Sequence, residues 1–319
     1  MRLALSLAAG ILFAAVAVRA DPWFTGPLEA PGAVVNDPGV LSLEPALVLA
    51  DGRATFGQNG QRLGSAHPSY SINPQLLVAF GLLERLQVSL NAQAEWNKDG
   101  SESASGVGDT QLGLGLALLE QDPASSFVPD ARVDFLVMLP TGEYQRLDSD
   151  RDGADALGGG SYVTTLRFNT AKTFALGEHV FRPHACLELD FYASRVDVHG
   201  ANTYGGGRGT RGTVVPGGAL TAYLSVEYAL SQRWALALDA VYTRSAATRF
   251  HGDPGLTEDG APAQVGSERA VLYSIAPALE YSWSENRGVI AGATFDLAGR
   301  NASQAIGVQV QYSASFELF

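Results

Sequence analysis

The sequence predicts an all-β fold: a transmembrane, antiparallel, up-and-down β-barrel of about twelve strands with short periplasmic turns and long extracellular loops. Three observations predict it. From Gly39 onward apolar and polar residues alternate in runs of about ten. The connections between runs are alternately short and long. Beyond the first 20 residues no apolar stretch is long enough to cross a bilayer as a helix, and a chain that crosses lipid without helices must close its sheet to satisfy its backbone.

The pattern is clearest over 219–243. Leu220, Ala222, Leu224, Val226, Tyr228 and Leu230 share one parity, and Thr221, Tyr223, Ser225 and Glu227 the other. After a tight turn, Trp234, Leu236, Leu238, Ala240 and Tyr242 alternate with Ala235, Ala237, Asp239, Val241 and Thr243. A helix would place Leu236 and Leu238 on nearly opposite sides, so only a strand gives one apolar face. Aromatics stand near the run ends, where a lipid–water boundary favours them. A secreted β-sandwich also alternates, but its strands are usually about five or six residues long.

Residues 1–20 read as a secretory signal: Arg2 is the basic start, an apolar core follows, and Val18-Arg19-Ala20 invites cleavage after Ala20. Residues 21–38 carry four prolines and no periodicity. They form a periplasmic lead-in or a short insert into the lumen, and residues 39–319 form the barrel. Its runs are 39–50, 70–81, 86–96, 108–119, 131–139, 161–170, 180–198, the pair within 219–243, 270–283, 287–297 and 304–319. An even count puts both ends of the barrel in the periplasm, as a cleaved signal requires.

Composition bounds the chemistry. The 319 residues are 46% hydrophobic with a net charge of −12, and mean hydropathy is +0.05. Loss of Arg2 and Arg19 with the signal takes −12 to −14, which argues against a nucleic-acid partner. The single cysteine, Cys186, excludes an intrachain disulfide and reads as a small filler side chain.

Several segments carry a resemblance. GVGDTQLGLGLALLEQ (106–121), VDFLVMLPTGEY (133–144), YALSQRWALALDAVY (228–242), AGRNAS (298–303) and the opening WFTGPLEAPGAVVNDPGVLSLEP are similar to the outer-membrane β-barrel family named after the meta pathway of phenol degradation. The resemblance implies a channel or transporter in the bacterial outer membrane for small hydrophobic or aromatic compounds, with outer-membrane lipid and the barrel-assembly machinery as partners. It carries no catalytic or binding residues. The terminal Phe319 resembles an outer-membrane assembly signal, although the apolar set of the last run is shifted by one from it.

Parity places Arg132, Arg167 and Arg182 inward on successive strands, with acids inward on the later ones: Glu188, Asp190, Glu227, Asp239, Glu280 and Asp296, and Glu44 and Glu95 near the start. Two arrangements follow. A basic stripe faces an acidic wall across a narrow pore, or the charges pair inside a lumen filled by side chains. Asp148, Asp150 and Asp152 before Gly153 have the alternate-oxygen spacing of a calcium loop, but Gly159 stands where the closing acid belongs, with Asp155 the nearest substitute. No other cofactor is expected. Asp197 with His199 and Asp148 with Asp150 are the groups that a loop-borne hydrolase would use. A lipase would need a histidine facing lipid, and parity puts none there. The expectation is a channel and not an enzyme; the alternatives are a non-transporting structural or adhesion barrel and, after it, the hydrolase.

Overall fold

A computed structural model describes residues 22–122, 127–148, 151, 153–192 and 195–319, without the side chains of residues 66 and 67. Twelve long strands form one antiparallel sheet: β1 (Val40–Phe56), β2 (Arg62–Leu83), β3 (Leu86–Asp99), β5 (Thr110–Leu119), β6 (Asp130–Leu139), β7 (Val163–Ala171), β9 (His179–Tyr192), β12 (Ala219–Ala229), β13 (Trp234–Ser245), β15 (Ala270–Ser284), β16 (Arg287–Arg300) and β17 (Ala302–Glu317). Each pairs with the next of these in sequence. β17 returns to β1, with Val40 opposite Glu317 and Phe56 opposite Ala302, so the sheet is a closed twelve-stranded barrel.

The alternation sorts residues as two solvents require. Leu224, Leu238, Leu114 and Val308 are exposed outward, whereas Glu227, Asp239, Glu280 and Asp134 are fully buried inward. Aromatic pairs mark the boundaries of the apolar exterior. Trp234 stacks obliquely on Tyr281 at 4.5 Å between ring centres, and Trp283 on Tyr312 at 5.6 Å, on the short-turn side. Tyr242 meets Tyr273 at 5.1 Å nearer the long loops. From Trp234 to Tyr242 the chain rises about 26 Å, or about 20 Å normal to the membrane at the usual barrel tilt. That height fits the apolar band of an outer-membrane barrel.

The strands extend beyond the runs that alternation predicts. β1 continues to Phe56 and β2 begins at Arg62, within a stretch read as a loop. β4 (Glu102–Val107) adds a hairpin to the outer end of β3, and β8 (Phe174–Leu176) is a short strand beside β9. The run read as 180–198 is two strands, because β10 (Val196–His199) leaves the barrel. It pairs with β11 (Arg211–Val215), which pairs with β14 (Arg249–Asp253), in a separate three-stranded sheet built from the long loops. Val196, Val198 and Val214 form its buried core, against Tyr144, Tyr204, Phe250 and Val265. These strands are only four or five residues long, so the alternation that buries Val196 and Val198 and exposes Asp197 is too brief to separate them from the neighbouring run.

The exterior makes a depth-dependent prediction. Leu224→Arg, at the middle of β12, lowers stability by about 2–4 kcal/mol, and Tyr228→Arg, near the short-turn rim, by about 0–1 kcal/mol. Urea titration of the refolded barrel in liposomes reads both; equal costs at the two depths would contradict this membrane placement.

Candidate functional site

The lumen is occupied by the chain's own beginning. Residues 22–38 run across it and meet inward groups on most of its circumference. Glu280 on β15 accepts hydrogen bonds from the Thr25 amide at 2.8 Å and the Thr25 hydroxyl at 2.9 Å. Glu227 on β12 accepts the Gly26 amide at 3.1 Å. Asp239 on β13 accepts the Leu28 and Glu29 amides at 3.1 and 3.3 Å. The Leu28 carbonyl accepts from Gln309 at 3.2 Å and the Val34 carbonyl from Arg132 at 2.8 Å. Farther along, the Asn36 amide donates to Gln87 at 2.8 Å, and Ser42 donates to the Asn36 side chain at 3.0 Å.

Sequence chemistry suits this path. Pro22, Pro27, Pro31 and Pro38 have no backbone N–H, so the segment brings fewer donors that need partners in the lumen. Leu28 packs into an apolar niche of Ala237, Ala276, Ala278 and Ile290. A side chain at Gly292 would come within 2.7 Å of the Leu28 methyl, so only hydrogen fits there. Burial pushes the Glu29 carboxyl above its ordinary range, and the Thr294 hydroxyl, donating to it at 2.5 Å, opposes that shift.

Most inward charges share one wall, with Glu44 on β1 and Glu95 on β3 standing outside it. Arg132 pairs with Asp134 at 2.6 Å, Arg167 with Glu188 at 2.5 Å, and Arg182 lies 4.0 Å from Glu227. Each arginine therefore stands beside an acid on its own or the next strand, rather than across the pore from one. Neighbouring inward positions are about 5 Å apart, and desolvated charges take the nearest partner. Gly115 makes room for the first pair, since a Cβ there would fall 2.7 Å from Asp134 and 2.8 Å from Arg132. Asp190 accepts from the Thr165 hydroxyl at 2.5 Å, and Asp296 from Ser274 at 2.6 Å and the Ala305 amide at 2.8 Å. His184 joins the wall through a short contact to Glu227. Glu227 and Glu280 reach each other over Ala235 and Ala237.

The other expected sites are scattered. Asp150 and Asp152 lie outside the described residues. Asp148 stands 3.6 Å from Arg151, and the Asp155 carboxylate accepts the Asp148 amide at 2.8 Å. On β10, Asp197 accepts from Thr213 at 3.0 Å while His199 faces Gln145 at 3.4 Å, and no hydrogen bond joins the Asp to the His among the described residues. His179 does meet an outward side chain, its Nδ1 lying 2.7 Å from the Tyr228 hydroxyl at the short-turn rim, where parity had put no histidine. Cys186 is buried on β9. Phe319 is exposed, its ring edge-on to Phe80 at 6.4 Å.

At the outer mouth Asp109 fastens the 140–162 loop. Its carboxylate accepts the Gly142 amide at 2.9 Å and the Gly159 amide at 2.8 Å. Tyr204 adds a hydrogen bond to the Gly159 carbonyl, and burial holds its phenol well above the ordinary range. The residues that sequence reasoning missed are Thr25, Gly26, Leu28, Val34 and Asn36. The available signal was the surplus of inward acids on β12, β13 and β15, which three arginines cannot satisfy.

The closed barrel, its apolar band and its polar, occupied interior define an outer-membrane β-barrel. A family described as "Putative MetA-pathway of phenol degradation" matches residues 42–312, and the chain belongs to that family. An outer membrane channel from Pseudomonas putida F1 has a similar structure, with 17% identity and a TM-score of 0.68, over 91% of this chain and 100% of that one. The translocator domain of the autotransporter NalP from Neisseria meningitidis is less alike, with 11% identity and a TM-score of 0.46 over 88% of this chain and 90% of that one. No curated protein sequence matches.

The acid contacts predict how the segment is held. Asp239→Ala strips two amides of their acceptor, which costs about 1–3 kcal/mol for each donor left buried, and should speed hydrogen exchange at Leu28 and Glu29 at least tenfold. Thr165→Ala, which touches the same wall but not the segment, should leave that exchange unchanged.

Proposed function

We propose that this protein is a passive or facilitated outer-membrane channel for small hydrophobic or aromatic compounds, exported with cleavage near Ala20 and inserted by the barrel-assembly machinery. The observation that carries the reading is the nature of the obstruction. What crosses the lumen is a segment held by hydrogen bonds and one leucine niche, not a strand of the wall. It can leave without opening the sheet. Membership in a family described by phenol degradation supports the aromatic class of compound.

The second reading, a structural or adhesion barrel that transports nothing, is favoured by the ion-paired wall and by the three-stranded sheet of the long loops. The two readings differ in what removal of the segment does. A channel widens, whereas a filled barrel stays closed.

Planar-bilayer recording tests this. Deletion of residues 23–35 should raise single-channel conductance severalfold over the full-length protein. Inward acids outnumber Arg132, Arg167 and Arg182, so a salt gradient should give a reversal potential on the cation side. Absence of conductance in both proteins would overturn the channel reading in favour of the structural one.

A further inference from the structure

The lumen has a second wall, and it is built differently. Two successive inward rungs cross β17, β1, β2 and β3 near the outer mouth. One aligns Ala305, Gly52, Ser69 and Asp99; the next aligns Gly307, Ala50, Ser71 and Asn97. On β17 and β1 the rungs carry only hydrogens and methyl groups, and on β2 and β3 they carry hydroxyl, amide and carboxylate. The difference in size opens a cavity of about 250 Å³, roofed by Gly153 and Ala154 of the 140–162 loop, with Ser303 adding a third hydroxyl. Ser69 leans over Gly52, where any side chain would collide with its hydroxyl.

The lining chemistry is specific. Tyr70 is its one aromatic residue and it contains no leucine, isoleucine or valine, whereas pockets for apolar ligands are lined mainly by such residues. Asp99 is the charged side chain of the inward rungs, because Lys98 next to it on β3 shares the outward parity of Trp96. The side chains of Ser69, Ser71, Ser303 and Asp99 make no hydrogen bond or ion pair with other described residues, and Ser69 and Ser303 are exposed, so their bonding capacity is open to an occupant. The volume falls just below the roughly 300–1,000 Å³ of pockets for drug-sized ligands, which suits an occupant of one ring.

We propose that this vestibule binds one neutral, single-ring solute bearing several hydroxyl groups. Its hydroxyls donate to Asp99 and accept from the serines and Asn97. A wholly apolar solute would forfeit those bonds and leave the polar groups dry. An anionic solute would be repelled by Asp99, with no inward cation beside it to offset the loss. The assignment rests on the channel reading and narrows its aromatic class to rings that carry hydroxyls; a sugar, which shares the hydroxyls without the aromatic ring, would keep the site but change that class. Sugars and polyphenols share this chemistry, and the test separates them.

Isothermal titration of the detergent-solubilised full-length protein with arabinose, resorcinol and benzoate is the experiment. Binding of arabinose or resorcinol with benzoate at least tenfold weaker supports the site, and which of the two binds identifies the source. Ser71→Leu and Ala50→Leu, which fill the cavity, should each weaken binding tenfold or more in proteins whose β-sheet circular dichroism is unchanged. Asp99→Asn, which keeps the volume, should weaken it severalfold and guards against misfolding of the larger variants. No heat from either neutral probe, equal affinity for benzoate, or unchanged affinity in both leucine variants would overturn the proposal. Conductance of the same preparations keeps the two readings apart. A protein that conducts but binds neither probe loses the vestibule and keeps the channel; one that binds but never conducts, with or without residues 23–35, loses the channel.

Discussion

The structure depends on three acids that the barrel buries and only partly satisfies. Glu227, Asp239 and Glu280 sit on β12, β13 and β15, all fully buried. An ionised carboxylate out of water without donors costs several kcal/mol. The neighbouring strands offer these acids mainly alanines, at 235, 237, 276 and 278. His184 and Arg182 reach Glu227 from β9, and the remaining donors come from the amides of Thr25, Gly26, Leu28 and Glu29. The small side chains and the acids are therefore one arrangement: alanine and glycine make space for a peptide, and the carboxylates hold it.

That arrangement divides the interior. The wall from β6 to β15 holds Arg132, Arg167 and Arg182, each beside an acid, and further acids that the arginines do not match. The wall from β17 to β3 carries serine, asparagine, glutamine and small residues, with Glu44, Glu95 and Asp99 as its inward charges. Outside, the same strands present leucine and valine to lipid with aromatics at the margins. A residue's environment in this molecule is set first by parity, and within the inward set by which wall it joins.

Much of this is legible in the sequence because lipid and lumen impose opposite demands on alternate residues. Leu224 and Glu227 could be assigned before any coordinates, and so could the inward direction of Arg132, Arg167 and Arg182. Pairing was less legible: Arg167 meets Glu188 because β7 and β9 align those two residues, a matter of register that alternation does not specify. β4, β10, β11 and β14 escaped because they are four to six residues long, too short for alternation to stand out. For the segment from Pro22 to Pro38, insertion into the lumen was one of two readings, but its path was not legible: it has no regular structure, so its residues answer to individual partners.

The position of Gly39 has a consequence for how the interior can be vacated. Its carbonyl accepts the Leu318 amide at 3.0 Å, so the inserted peptide begins where the first and last strands are sewn together. It is anchored to the wall at one end. A peptide freed from its carboxylates cannot diffuse away; tethering keeps its local concentration high, of millimolar order for a short flexible link. Return is thus fast and unimolecular, and a lasting opening requires something to hold the freed end outside the barrel.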